Sequence, residues 1–262
     1  MRPRPWTCRI GPFASVMAVL CLSSAALAAD PRPLDPLALV KLRAMSARLV
    51  AAGGYRLVAE TTLDDVNRDG LRIQYSNHVD LSLRRPDRLV ARVRGDLHNA
   101  DVWYDGRTLT KLEAKDNSVS TLPFKGTVES VLDHLAERHG ATFPLADFVV
   151  DDPYGSLTRN MVRGRYEGLR VVAGVSCHHL VFSNDRIDWQ IWIKAGADPE
   201  PKKIVITYKT LPGHPQYSAT FQSWEFNPTQ PDSQFEPRIP QGHTRARFGF
   251  ESSAGPVHSL YH

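Results

Sequence analysis

Alternation of apolar and polar positions with a period of two dominates this chain from Tyr55 onward. The clearest stretch runs from Leu71 to Leu83. Leu71, Ile73, Tyr75, Val79, Leu81 and Leu83 face one way, and Arg72, Gln74, Ser76, His78, Asp80 and Ser82 face the other. That is a strand with one buried and one wetted face. Leu89, Ala91 and Val93 alternate with Arg88, Arg92 and Arg94, and Asp105-Gly106 forms a hairpin turn between 102–104 and 108–110. Ser118 to Leu122 reads as another strand. Further strands are expected at 166–172, 175–183, 187–194, 202–209 and 216–226. In the last of these, parity puts Tyr217, Ala219 and Phe221 opposite Thr220, Trp224 and Phe226.

The period changes to that of a helix in two places. Asp35 caps a segment to about Ala52, where Leu37, Val40, Ala44, Met45 and Leu49 recur at helical spacing before Gly53-Gly54 stops it. Thr127 caps a second, with Val128, Val131, Leu132 and Leu135 on one face and Gly140 at its end. A shorter helical turn follows Pro144 through Leu145 and Phe148, and Asp151-Asp152-Pro153 reads as a turn in a loop. The pattern gives a mostly β (α+β) fold of about eleven strands, joined mainly as antiparallel neighbours around one central helical insert.

Composition narrows the function classes. The chain has 262 residues, 42% hydrophobic and 23% charged, enough to bury a core. Nineteen prolines and 17 glycines argue against a helical bundle. No run of 18 apolar residues occurs, so no ordinary membrane-spanning helix is expected. Residues 1–28 have the layout of a secretory signal peptide: Arg2, Arg4 and Arg9, an apolar stretch from Phe13 to Leu22, and Ala26-Leu27-Ala28 as the cleavage site. Removing them takes the net charge from +4 to +1, which disfavours nonspecific nucleic-acid binding. Lipid attachment at Cys21 is disfavoured because Leu20 stands where a small residue is needed. Cys177 is then the single cysteine of the exported chain, so no internal disulfide forms.

Local features suggest little chemistry. Asp65-x-Asn67-x-Asp69-Gly70 begins like a calcium loop, but Ser76 stands where a bidentate Glu belongs, and a plain turn explains the residues. Cys177-His178-His179 splits its side chains between two strand faces, and Gly174-Val175-Ser176-Cys177-His178 lacks the last glycine of a nucleophile elbow. The expectation is no catalytic residue, no metal and no cofactor. Arg84, Arg85, Arg88, Arg92 and Arg94 form a local basic stripe in which Arg88, Arg92 and Arg94 share one face, either a solvated face or a surface for anionic headgroups or an acidic partner. Trp192 lies opposite the Ile187, Trp189, Ile191 face, where exposure would mark a binding surface and coverage by a loop a structural role.

Several stretches carry a family resemblance: Leu42-Arg43-Ala44-Met45-Ser46, Arg84-Arg85-Pro86-Asp87-Arg88-Leu89, Tyr104-Asp105-Gly106 and Gly126-Thr127. Pro144-Leu145-Ala146-Asp147, Cys177-His178-His179-Leu180, Asp188-Trp189-Gln190-Ile191-Trp192-Ile193 and Pro215-Gln216-Tyr217-Ser218-Ala219-Thr220 continue it. Over roughly 33–250 the chain resembles a family of predicted periplasmic proteins of unknown function, itself similar to the LolA/LolB-like (lipoprotein localisation factor) superfamily. The resemblance implies one antiparallel sheet curled into a half-barrel, with helices over its concave side and an apolar cavity between. The best-known members of that superfamily carry lipoprotein acyl chains across the periplasm. The implied organisation is a domain over 29–250 and a flexible tail over 251–262.

Two functions stay open. One is a non-enzymatic periplasmic carrier or receptor for a lipid or acyl chain, bound under a two-helix lid by Leu71, Ile73, Tyr75, Leu81, Trp189, Ile191, Ile206 and Phe221. Burying a 14-carbon chain contributes on the order of 11 kcal/mol gross, so no catalytic group is needed. The other is a closed-core envelope module that binds a protein partner, or transiently the membrane, through Arg88, Arg92 and Arg94.

Overall fold

A computed structural model describes residues 34–141 and 143–249. The signal peptide expected over 1–28 and the tail expected over 251–262 lie outside the described residues. Helix α1 (Pro36–Ala51) precedes strands β1 (Gly54–Val66), β2 (Arg72–Arg84), β3 (Arg88–Gly95), β4 (Asn99–Tyr104), β5 (Thr108–Glu113) and β6 (Ser118–Pro123). A helical crossover follows: α2 (Val128–His139), a 3-10 turn (Ala146–Phe148) and α3 (Pro153–Thr158). Strands β7 (Arg163–Val172), β8 (Val175–Ser183), β9 (Ile187–Lys194), β10 (Pro201–Tyr208), β11 (Gln216–Phe226) and the two-residue β12 (Thr244–Arg245) follow among the described residues.

The twelve strands among the described residues form one sheet in the order β12-β6-β5-β4-β3-β2-β1-β11-β10-β9-β8-β7. The chain starts in the middle at β1 and meanders to one edge. It crosses to the opposite edge through the helices, then meanders back until β11 pairs with β1. The crossover must therefore traverse one face of the sheet, which is why the helices lie there. The sheet does not close, and the result is an open half-barrel.

Local sequence explains the element ends. The Leu37 amide donates to Asp35 Oδ1 (2.8 Å) at the start of α1. The Ser130 amide donates to Thr127 Oγ1 (3.1 Å), and Gly140 ends α2 at φ +61°. In the β4–β5 hairpin Asp105 Oδ1 accepts from the amides of Arg107 and Thr108 at 2.9 and 2.7 Å. The calcium-like segment is a turn closed by Asn67, whose Oδ1 accepts from the amides of Asp69 and Leu71 at 3.0 and 2.8 Å.

The concave face carries the core. Register places Tyr55, Leu57 and Ala59 beside Leu83, Leu81 and Val79 on one side and beside Phe226, Trp224 and Phe221 on the other. Leu42, Met45 and Leu49 of α1, Val131 and Leu135 of α2, and Phe148 pack against them. The convex face is mostly polar, with one small apolar cluster of Val90, Trp103 and Phe235. Phe235 comes from the segment after β11, and Arg84 lies over its ring. That segment ends as β12, running parallel beside β6 and covering an otherwise open edge.

Three expectations need correction. Trp224 and Phe226 share the face of Phe221, because Gln222 is an extra residue: Val58 pairs with Ser223 while Ala59 pairs with Phe221. This bulge shifts the parity that a strict period of two assumes. In α1 the buried face is Ala38, Leu42, Met45, Ser46 and Leu49, whereas Leu37, Val40 and Ala44 are exposed. The helix is apolar on both sides, and only one side is buried against the core. Finally, Pro153 does not sit in a loop turn but opens α3, with the Gly155 amide donating to Asp152 Oδ1 (2.9 Å).

Candidate functional site

The candidate site is a cavity of about 430 Å³ beneath the crossover, between α3, its link to β7, and strands β9 and β10. Its floor is the apolar face of the sheet: Ile187 and Trp189 from β9, with Ile204, Ile206 and Tyr208 from β10. Leu157 of α3 and Met161 of the link form the opposite wall. Arg159, Asn160 and the β8–β9 turn (Asn184, Asp185, Arg186) supply polar lining groups. Asp147 and Ser156 of the crossover also line it, so an apolar floor meets polar groups on the covering side, a layout suited to one amphipathic molecule.

Individual groups are held firmly. Trp189 stacks on Phe182 with ring centroids 4.4 Å apart, and its Nε1 donates to Met161 Sδ at 3.0 Å. The contact ties the floor to the covering link. Asp147 receives a hydrogen bond from Ser156 Oγ (2.5 Å) within the crossover. Loss of solvent around its carboxyl raises its pKa, against the lowering effects of that bond and of Arg159. Deeper in the core, Tyr55 Oη donates to the Phe148 carbonyl, and burial pushes the phenol's pKa well up. That bond fastens the 3-10 turn to the central strand.

The eight residues expected to line a ligand site are not gathered in one place. Trp189 and Ile206 line the cavity. Leu81, Ile191 and Phe221 are packed in the core and do not line it. Tyr75 is half-buried on β2. Leu71 (64% exposed) and Ile73 (40%) stand in solvent near the β1–β2 turn, where the helices leave the sheet face uncovered. The residues that sequence reasoning missed come from α3 and its link: Leu157, Arg159, Asn160 and Met161. The Asp152-Pro153 pair, an N-cap followed by a first-turn proline, was the available signal for that helix.

The basic stripe is interleaved with carboxylates. Arg88 pairs with Asp87 (2.8 Å) and Arg94 with Asp101 (2.6 Å). Arg92 sits across from Asp80 on one neighbour and Asp101 on the other. Asp80 also takes a two-pronged bond from Arg56 (2.9 and 2.8 Å), which with burial opposing it holds its carboxyl below the usual range. Trp192 is half-buried on the convex face, stacked on His179 (4.2 Å, 8°) with Lys203 over its ring (5.3 Å). Its strand neighbours, not a loop, cover it. Cys177 is buried, and burial pushes its thiol pKa up.

Residues 38–249 match the family model described as a predicted periplasmic protein, DUF2092. The chain belongs to this family. As a DUF2092 protein it is periplasmic. No curated protein matches it significantly. Among solved structures, the DUF2092 chain is similar to an uncharacterised conserved protein from Thermus thermophilus (12% identity, TM-score 0.46, covering 81% of this chain and 99% of that one). It is also similar to the lipoprotein LppX of Mycobacterium tuberculosis (14%, 0.41, 75% and 98%). A LolA superfamily protein from Nitrosomonas europaea gives 9%, 0.37, 76% and 97%.

Proposed function

We propose that this protein is a non-enzymatic periplasmic carrier or receptor for one hydrophobic molecule, an acyl chain of a lipid or lipoprotein. The cavity under the crossover carries the reading. Its volume of about 430 Å³ lies within the range of small-ligand sites, roughly 300–1,000 Å³. The apolar face of β9 and β10 is its floor, so burying a hydrocarbon there displaces water from apolar surface and needs no reacting group. The sequence resemblance to LolA/LolB-like proteins points the same way. In this reading residues 1–28 are removed on export, Trp189 and Ile206 touch the ligand, and Arg159 and Arg186 face its polar end. A second cleft of about 470 Å³ suits such a ligand less, because Lys111, Glu113, Ser118 and Ser120 line it.

The alternative, a closed-core module docking a partner through Arg88, Arg92 and Arg94, has weaker support because carboxylates interleave those arginines. Native mass spectrometry of the mature chain, purified gently from its own envelope, separates the two. One co-purified lipid per chain, displaced together with a change in Trp189 fluorescence, is the expected result. A clean apo mass that persists after incubation with mixed envelope lipids overturns the carrier reading.

A further inference from the structure

Ten large apolar side chains stand exposed among the described residues, and six of them gather on α1 and β7 or the residue just before β7. They are Leu37, Val40 (59% exposed), Val50, Val162, Leu169 and Val171 (71%). The two elements are neighbours: the Asp35 amide donates to the Gly164 carbonyl (3.0 Å), and the Tyr166 amide donates to Asp35 Oδ2 (3.2 Å). On α1 the exposed positions Leu37, Val40, Ala44, Ala47 and Ala51 form a continuous outward stripe at helical spacing. A surface helix normally turns polar residues outward. β7 is the edge strand, so both its faces lie at the rim of the sheet.

The charge around this stripe is one-sided. α1 carries Lys41, Arg43 and Arg48 and no acidic residue. β7 carries Arg163, Arg165 and Arg170 against the single acid Glu167. Glu167 engages Arg165, and Asp198, from the β9–β10 loop, engages Arg48. Lys41, Arg43 and Arg170 therefore have no matching acid on either element, whereas Arg163 lies near Asp188 of β9. Exposed apolar residues framed by cations complement a bilayer surface that carries anionic headgroups: the apolar residues enter the interface and the cations meet the phosphates. The Arg88 stripe lacks both features, being interleaved with carboxylates and without exposed apolar residues beside it.

We propose that the rim formed by α1 and β7 docks this protein on an anionic membrane surface. The proposal goes beyond the carrier reading and stands apart from it, because docking requires nothing in the cavity. The test is co-sedimentation of the mature chain with vesicles of phosphatidylglycerol and phosphatidylcholine in equal parts, against phosphatidylcholine alone. Binding is expected on the anionic vesicles and weakens as salt is raised. Val40→Glu and Val171→Glu each lower the partition coefficient about tenfold. Arg170→Glu lowers it at least about fivefold. Ile239→Glu, at an exposed position elsewhere, leaves it unchanged. All these sites are exposed, and unchanged thermal melting verifies that each variant folds. Absence of binding to anionic vesicles, or equal binding by all variants, overturns the proposal. A dimer that Val40→Glu splits, with no vesicle binding, also overturns it and makes the rim a contact between two copies.

Discussion

Tyr55→Phe removes one oxygen from a fully buried ring and changes little else. In the wild type that oxygen donates to the carbonyl of Phe148, in the 3-10 turn of the crossover, 93 residues away in sequence. The variant loses a hydrogen bond worth about 1 kcal/mol net and leaves a buried carbonyl unpaired, which costs about 1–3 kcal/mol. The surrounding packing is kept, since Tyr55 lies within 6.1 Å, centroid to centroid, of both Trp224 and Phe226 and the ring remains. A loss of about 2 kcal/mol is expected, which lowers the Tm of a domain of this size by about 4–8 °C. Urea unfolding followed by tryptophan fluorescence measures the loss. Hydrogen exchange localises it, with amides around 145–150 exchanging faster while those of β2 and β3 keep their relative protection. An unchanged urea midpoint together with unchanged exchange around 145–150 would refute the idea that this bond fastens the crossover to the sheet.

Two further predictions concern the crossover and the sheet rim. Asp147 has a raised pKa, so between the unfolded value near 3.9 and its folded value the native state holds a proton that the unfolded chain releases. Stability contributed by this group therefore falls as pH rises through that window, and Asp147→Asn should gain on the wild type with rising pH. Urea midpoints of both proteins across pH check this, and a stability difference between them that does not change with pH contradicts it. Ala173, in the β7–β8 turn, has φ +46°, a conformation costly for a residue with a Cβ. Ala173→Gly should stabilise the protein by about 0.5–1 kcal/mol in thermal melts, and any lowering of Tm counts against the strain argument.

Much of the fold was legible because its signals are local. Each strand between 163 and 226 lies within a residue or so of its expected position except the start of β7, and both longer helices carry the caps read from Asp35 and Thr127. Period-two alternation survives in sequence because a sheet with one covered face forces it on every strand. The same reasoning failed where one residue breaks the period: Gln222 bulges, and Trp224 and Phe226 turn inward to join Phe221. It also failed for α3, whose six residues are too few to establish a helical period.

The sequence by itself determined the class of fold and the family. It also supplied an apolar sheet face broad enough to need a cover. It could not determine which part of that face stays empty, because a cavity is a mismatch between two surfaces that meet only after folding. Trp189 and Ile206 border the void and Ile191 is packed against neighbours, although all three carry the same alternating signal. The outward stripe of α1 is another tertiary outcome. A helix apolar on two sides offers both faces to the sheet, and only packing in the folded chain buried one and left the other to solvent.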